Sequence, residues 1–300
     1  MRFSFVTCTY NRAECLAKTL QSLVEQDFDP HDFQIVVINN NSTDSTSDVC
    51  DNFASRHPNL NIEHHKEPNQ GLSFALNRGI SEAKGDYIIY VDDDETIDRQ
   101  HLTRLEKHLN DRPEILLAAS PVVPVYQEEQ PRWMSRFTQR LIGGHFNIGN
   151  KIKKLKKTEY PGTGHTIIKR ELYSKFGSYN TELGRKGKGL LGAEDKDMAF
   201  RLVSNNIACY YLPDIPIYHH IPAYKLTDEF FTKLTYSVGQ SEKIRTLANS
   251  KGAYYKCLLR ESIKWGISFV LFLFYLLTLR PAKGTKLLVF RWNVTRGLLS

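Results

Sequence analysis

The stretch Gly85–Glu95, GDYIIYVDDDE, runs from the nearly all-apolar segment Tyr87–Val91 straight into three adjacent carboxylates. A strand apolar at almost every position has no side to turn to water, so it calls for cover on both faces, as in a parallel sheet between helices. The upstream sequence supplies the companions. Phe3–Cys8 and Gln34–Ile38 read as strands, and Asn61–His64 as a third. Between them, Leu16, Leu20 and Leu23 share one helical face, and Leu72, Ala75, Gly79 and Ala83 share another. Asn11 suits the cap of the first helix, and Thr43 and Asp44 suit that of the second. Four strand-then-helix units in the first hundred residues predict a doubly wound α/β half. Such folds bind ligands at the carboxyl ends of their strands. Thr9-Tyr10-Asn11, Asn39–Asp44 and Asp92–Asp94, scattered in sequence, are therefore expected at one edge.

Beyond Pro121 the pattern weakens. Lys151, Lys153, Lys154, Lys156 and Lys157 read as a mobile flap or a surface contact. Order returns at Gly164–Lys169 and passes through the glycine-rich loop Gly184–Gly189, with Lys186 and Lys188. It continues into Gly192–Leu202, a helix whose first turn carries Glu194, Asp195 and Asp197. His219 and His220 follow the expected strand Ile207–Leu212 and a bend at Pro213 and Pro216.

The formal charge of +7 favours polyanionic partners or an anionic membrane surface. Neither a zinc-finger spacing nor an aromatic-and-basic ribonucleoprotein pattern is present, so nucleic acid is not the expected partner. Five widely spaced cysteines without a CxxC pair speak against a disulfide framework or structural zinc and for a reducing compartment. Met1–Tyr10 reads as a first strand rather than a secretory signal. Trp265–Leu279 is uncharged over fifteen residues, a helix of about 22 Å. That is short of the roughly 30 Å bilayer core, so a helix lying in or dipping into one leaflet is expected. Arg260, Lys264, Arg280, Lys283, Lys286, Arg291 and Arg296, with Trp265 and Trp292, suit an anionic lipid surface. A hydrophobic helix packed against the rest of the chain or another subunit is the alternative.

Three adjacent carboxylates repel one another and persist where a cation offsets them. Oxygen ligands suit Mg²⁺ or Mn²⁺, which bridge readily to a diphosphate; a solvated acidic turn is the plainer explanation. Glu194 and Asp195 suit either a general base with an acceptor-orienting partner or a helix N-terminus. The histidine pair suits a metal shell or an ordinary turn. Asn39–Asp44 fits a base-and-ribose site or a helix cap, and Asn11 and Arg12 allow the same two readings.

Taken together, VTCTYNR (Val6–Arg12), INNNSTD (Ile38–Asp44), NQGLSFALNRGI (Asn69–Ile80), GDYIIYVDDD (Gly85–Asp94), FGSYN with LG (Phe176–Gly184), GAEDKDMAFRL (Gly192–Leu202) and the histidine pair resemble family 2 glycosyltransferases of the GT-A fold. The resemblance spans residues 1–222 in consistent order. It implies a Rossmann-like, mostly parallel central sheet flanked by helices, followed by a helical membrane-associating extension. Residues 1–225 would form the catalytic domain, with 1–119 mainly binding donor and 120–225 mainly binding acceptor and carrying the base. Residues 226–300 would associate with the membrane. The implied reaction is metal-dependent, inverting transfer of a sugar from a nucleoside diphosphate sugar, often a UDP-sugar. By the same resemblance Cys8, Thr9, Tyr10 and Asn40 face the base of the donor and Asp92 its ribose. Asn11, Arg12, Asp44, Asn69, Gly71 and Asn77 fall within the matched donor-binding stretches. Asp94 is the principal metal ligand with Asp93 beside it, and His220 is the histidine assigned to the metal. Asp195 is the general base, and Glu194 positions the acceptor. Closure of the loop 184–189 would exclude water. The implied acceptor is a glycan or lipid-linked glycan of the bacterial envelope, met at the cytoplasmic face of the inner membrane by a peripheral or monotopic enzyme, with self-association compatible. Asn39 and Asn40 stand where many relatives carry Asp, and Gly164-His165-Thr166 stands where Gly-Ala-Asn is common, so donor base and acceptor identity stay open. A nucleotidyltransferase is the enzymatic alternative, although Val6–Arg12 lacks glycines for a triphosphate. A non-catalytic nucleotide-sugar-binding protein is the other.

Overall fold

In the computed structural model, which describes residues 1–156, 159–187 and 189–300, with Thr163 through its backbone only, the expected alternation opens the chain. It runs β1 (Phe3–Thr9), α1 (Ala13–Val24), β2 (Phe33–Asn39), α2 (Thr46–Arg56), β3 (Asn61–Lys66), α3 (Leu72–Glu82) and β4 (Tyr87–Tyr90). There follow β5 (Glu95–Ile97), α4 (His101–Asp111), β6 (Leu117–Ala119), β7 (Val122–Tyr126), α5 (Arg136–Gly143), β8 (Lys153–Lys154), β9 (Thr166–Lys169), α6 (Glu171–Phe176), α7 (Glu194–Ser204), β10 (Cys209–Tyr211) and β11 (Ile217–Ile221). Three long helices, α8 (Asp228–Asn249), α9 (Lys251–Leu277) and α10 (Pro281–Leu299), end it.

The main sheet has the order β3-β2-β1-β4-β9-β6-β10-β8, and a small second sheet has the order β5-β11-β7. β1 pairs in parallel with β2 and β4, and β2 with β3. β9 then runs antiparallel between β4 and β6, which makes the sheet mixed. Alternation along each strand sorts side chains to opposite faces. Phe3, Phe5, Ile35, Val37 and Ile89 pack with Leu16 and Leu20 of α1 and Leu102 and Leu105 of α4. On the other face, Val6, Val36, Ile38, Ile88 and Tyr90 pack with Leu76 of α3, Leu172 of α6 and Met198 of α7. Both faces are dry, as the apolar run Tyr87–Val91 requires.

The lysine cluster is only partly the flap expected of it. Lys153 and Lys154 form the edge strand β8, antiparallel to β10, with Lys154 Nζ 5.5 Å from the Tyr210 ring centre. Lysines are a common guard on an unpaired sheet edge. Lys157 lies outside the described residues.

The chain divides into two units. The first holds residues 1–125, 146–181 and 194–220, and the second holds 126–145, 182–193 and 221–300. Two internal stretches thus group with the C-terminal helices, so the division is not a single cut near residue 225.

Within the second unit, α9 begins fourteen residues before Trp265, because no proline interrupts it and the Ser250 side chain caps it by accepting from Ala253 N. Its first half carries Lys256, Arg260, Glu261 and Lys264. Among the described residues no helix is long and apolar enough to cross a membrane. α8 and α10 approach until their backbones touch. A Cβ on Gly239 would stand 2.1 Å from Val294 O, and one on Gly297 2.0 Å from Tyr236 O. Two cations expected at a lipid surface are instead buried. Arg291 Nη1 donates to Glu261 Oε1 at 2.8 Å. Lys286 pairs with Asp228, and its Nζ lies 4.4 Å from the ring centres of Trp133 and Phe231. Trp265 is held too, its Nε1 donating to Thr295 Oγ1 at 2.9 Å. Arg260, Lys264, Arg280, Arg296 and Trp292 remain exposed.

Candidate active site

The strand order places β1 and β4 side by side where the winding reverses, the crevice in which doubly wound sheets take ligands. Val6 pairs with Tyr90, so three residues further along the two strands stand Thr9 and Asp93. Beyond β4 the chain turns sharply. Glu95 N donates to Asp92 O at 3.0 Å, and the buried Glu95 side chain returns to accept from Asp92 N at 2.9 Å. Asp92 is left exposed, while Asp93 and Asp94 are buried.

One guanidinium serves both buried acids. Arg12 Nη1 stands 2.8 Å from Asp93 Oδ1 and 2.8 Å from Asp94 Oδ2. Burial raises the Asp93 pKa; Arg12 opposes that rise and Asp94 adds to it. The other Asp94 oxygen, Oδ1, faces Nε2 of His219 at 3.4 Å. His220 was the histidine assigned to this position by resemblance, but the strand turns it away. β11 is extended, neighbouring side chains point to opposite faces, and His220 Nε2 lies 2.9 Å from Thr96 Oγ1. Burial, then Lys18 and His219, lower the His220 pKa, and Asp94 opposes them.

The loops after β1 and β2 are bonded to each other. Asn11, at φ 51°, accepts from Thr43 N through Oδ1 at 2.7 Å, and its own N–H donates to Ser42 Oγ at 2.9 Å. Asp44 Oδ2 accepts from Ala13 N at 3.1 Å while Oδ1 accepts from Thr46 N. The start of α1, expected to be capped by Asn11, is thus served by Asp44, which serves α2 as well. Asn40 is buried: Nδ2 donates to Asn69 O at 2.7 Å and Oδ1 accepts from Gly71 N at 2.8 Å. Asn69 itself donates to Glu67 Oε1. Asn77 clamps Tyr179 at two points, 2.9 Å to its O and 2.8 Å from its N. These residues hold the wall of the crevice with their own polar atoms. At its floor Thr9 is buried, Tyr10 is half-buried, and the Cys8 thiol is pushed up by burial and by Asp92 and Asp93.

Asp195 and the buried Glu194 open α7, next to Ala193 at φ 72°. The turn Gly162–Thr166 meets Asp195 and the acids after β4 alike. A Cβ on Gly162 would lie 3.6 Å from Asp195 Oδ2, and one on Gly164 would lie 2.5 Å from Glu95 Oε2 and 2.7 Å from Asp92 Oδ2. A side chain at 164 would have to displace the carboxylates of Glu95 and Asp92. His165 fixes the turn, its Nδ1 donating to Ser120 O at 2.9 Å and its Nε2 accepting from Gly162 N at 2.6 Å. Behind it lies a cavity lined by Pro161, Thr166, Tyr179, Asp195 and Met198. Buried tyrosine hydroxyls continue from there, Tyr90 to Tyr173 at 2.7 Å and Tyr173 to Tyr179 at 3.4 Å. Desolvation raises all three tyrosine pKa values. Sequence reasoning missed the roles of Glu95 and His165. Both lie in stretches the sequence singles out, but the partner of His165 at Ser120 is brought near only by folding, and the return of Glu95 to Asp92 N depends on the turn between them.

The glycine-rich loop belongs to the second unit. Gly184 and Gly187 take positive φ, and Gly189 N donates to Lys186 O at 2.9 Å. Lys188 lies outside the described residues.

Glu63, His65 and Glu82 also bring ligand atoms within 4.8 Å of one another, on the edge strand β3 and on α3. Lysine and arginine already occupy that group, with Lys84 Nζ 2.5 Å from Glu63 and Arg78 Nε 2.7 Å from Glu82. The Asp94–His219 pair fits a hard dication better. Octahedral bonds of 2.0–2.1 Å put adjacent ligands about 3 Å apart, close to the 3.4 Å seen.

A sequence profile describing glycosyl transferase family 2 matches residues 4–177. The glucosyl-dolichyl phosphate glucuronosyltransferase of Haloferax volcanii is 24% identical over 269 residues, 86% of this chain and 83% of that protein. The minor teichoic acid biosynthesis protein GgaB of Bacillus subtilis is 26% identical over 170 residues, 55% of this chain but only 17% of that protein. Among solved structures, the mannosyltransferase PcManGT of Pyrobaculum calidifontis, in complex with GDP-Man and Mn²⁺, superposes with a TM-score of 0.64 at 16% identity. The match covers 98% of this chain and 87% of that one, and at that identity it speaks for the fold.

Proposed function

We propose that this chain, which belongs to glycosyl transferase family 2, moves a sugar from a nucleoside diphosphate sugar to a hydroxyl of a glycan or lipid-linked glycan, inverting the anomeric carbon. The observation that carries this reading is the meeting of Asp92, Asp93 and Asp94 with Arg12 and His219, beyond the ends of β1 and β4 and in the middle of β11, next to the turn that also abuts Asp195. Asp195 takes the proton of the acceptor hydroxyl as its oxygen attacks the anomeric carbon. Glu194 positions the acceptor, and Asp92, the exposed acid of the three, faces the ribose. Asp94 and His219 would hold Mn²⁺ or Mg²⁺, which when bound supplies charge neutralisation for the departing diphosphate. No covalent sugar intermediate is needed. A product assay on purified Asp195→Asn and Asp94→Ala proteins tests the roles: full transfer by a folded variant removes that residue from the scheme. A product retaining the donor's anomeric configuration overturns inversion.

The acceptor is best sought at an anionic membrane. The last fifty residues hold nine lysines and arginines against one acid, Glu261, while the whole chain is +7, which leaves the first 250 residues close to neutral. Along α9, Leu259, Ile263, Ile267, Val270 and Phe274 are each more than half exposed. Exposed apolar surface of that extent marks an interaction site, and the adjoining charge suits a lipid leaflet entered from one side. The relative named for glucuronosyl transfer to glucosyl-dolichyl phosphate accords with a lipid-linked acceptor. On this reading the enzyme is peripheral or monotopic at the inner face of a cell membrane. Flotation with anionic and with neutral vesicles tests it, and equal absence from both overturns it.

A further inference from the structure

Arg12 does nothing in the scheme above, yet it is the most heavily engaged cation at the site. Its Nη1 takes one oxygen from Asp93 and one from Asp94, each at 2.8 Å. The two carboxylates are buried, and the guanidinium is itself only about a quarter exposed, at 26%. The contact is therefore poorly screened by water, unlike a surface ion pair. Asp94 is divided by it: Oδ2 goes to Arg12, and Oδ1 is the oxygen that faces His219 Nε2 at 3.4 Å.

We infer that Arg12 rations the aspartate oxygens, so that a divalent ion gains only the edge between Asp94 Oδ1 and His219 and binds firmly only together with a diphosphate. The inference rests on the metal reading above. A dication at that edge meets an unscreened guanidinium on the far side of the same carboxylate, and two cations sharing one carboxylate repel. A nucleoside diphosphate brings negative charge that offsets both, so each partner strengthens the binding of the other, reciprocally. Arg12 is on this account a positioning residue that ties metal affinity to the presence of donor. An idle enzyme then keeps little metal of its own, and the buried aspartates stay neutralised by a group that cannot diffuse away.

The test is titration of the full-length chain with Mn²⁺ alone, followed by electron paramagnetic resonance and by thermal unfolding, then repeated with UDP and with GDP. The wild-type protein is expected to bind Mn²⁺ weakly alone and more tightly with whichever diphosphate it accepts. Arg12→Gln, which removes the charge, should unfold at lower temperature without metal and bind Mn²⁺ alone about tenfold more tightly or better. The enhancement by diphosphate should shrink to match. Arg12→Met, closer in length and also uncharged, should behave alike and serves where the glutamine variant does not fold. Mn²⁺ affinity in both variants no higher than in the wild-type protein overturns the role of Arg12 while leaving the metal site standing. Wild-type Mn²⁺ binding that survives Asp94→Asn unchanged overturns the metal reading and this inference with it.

Discussion

Each unit of this chain has an apolar core, and the two differ in the charges they bury beside it. In the first, aliphatic and aromatic side chains fill both faces of the sheet, and the acids gather at its carboxyl edge. In the C-terminal helices Glu261, Lys286, Arg291 and Asn293 are buried, while Leu259, Ile263, Ile267, Val270 and Phe274 stand out. The contrast shows how one backbone chemistry answers to two surroundings. In the first unit most buried polar groups are neutral or belong to the acid cluster. In the C-terminal helices cations serve as internal fastenings, Arg291 to Glu261 and Lys286 to Asp228.

The largest effect expected of breaking this contrast is at the polar edge of the first unit. Asp195→Asn should lower turnover by about 10² to 10⁴-fold while leaving the unfolding transition in place; a loss below tenfold would show that these acids are ordinary helix-end residues. Next comes the interior ion pair. Glu261→Ala leaves Arg291 buried without its carboxylate and should cost about 3 to 5 kcal/mol in urea unfolding. A cost near zero would mean that water reaches the pair and that it does not fasten the helices.

His101 is a titratable group buried in the first unit away from the site, with a pKa lowered to about 4 by its burial. A histidine kept neutral in the fold but free to charge when unfolded loses stability as pH falls. The loss begins near the unfolded value of 6.5, is complete below about 4, and amounts to about 3 kcal/mol. Urea unfolding at pH 7 and pH 4.5 should show that decline in the wild-type protein and a smaller one in His101→Met; parallel declines would assign the acid sensitivity to other groups.

The smallest effect sharpens the comparison most. Glutamine at 259, 263, 267 and 270 should change stability by only about 0.5 kcal/mol each, yet abolish flotation with anionic vesicles. Unfolding of the helices instead would show that the face is covered by protein.

Much of the donor half was legible because its signals are local. Apolar runs ending in Cys8, Ile38 and Val91 marked the strands, and the winding rule then gathered the polar residues that follow them. What escaped depends on distant pairing. The choice between His219 and His220 follows from the register of β11 on β5, more than a hundred residues away. Gly164 is favoured only because Asp92 and Glu95 lean on it. The burial of Lys286 and Arg291 was hidden because a basic helix next to an apolar one reads the same whether its charges point in or out.

The bonds between the loops after β1 and β2 bear on how such a chain can change. Asn11 reaches Ser42 and Thr43, and Asp44 reaches Ala13. An insertion in either loop would sever its ties to the other, so the two can alter in length only as a matched pair. The turn at 162–166 is tied in the same way to Ser120, through both the ring and the carbonyl of His165.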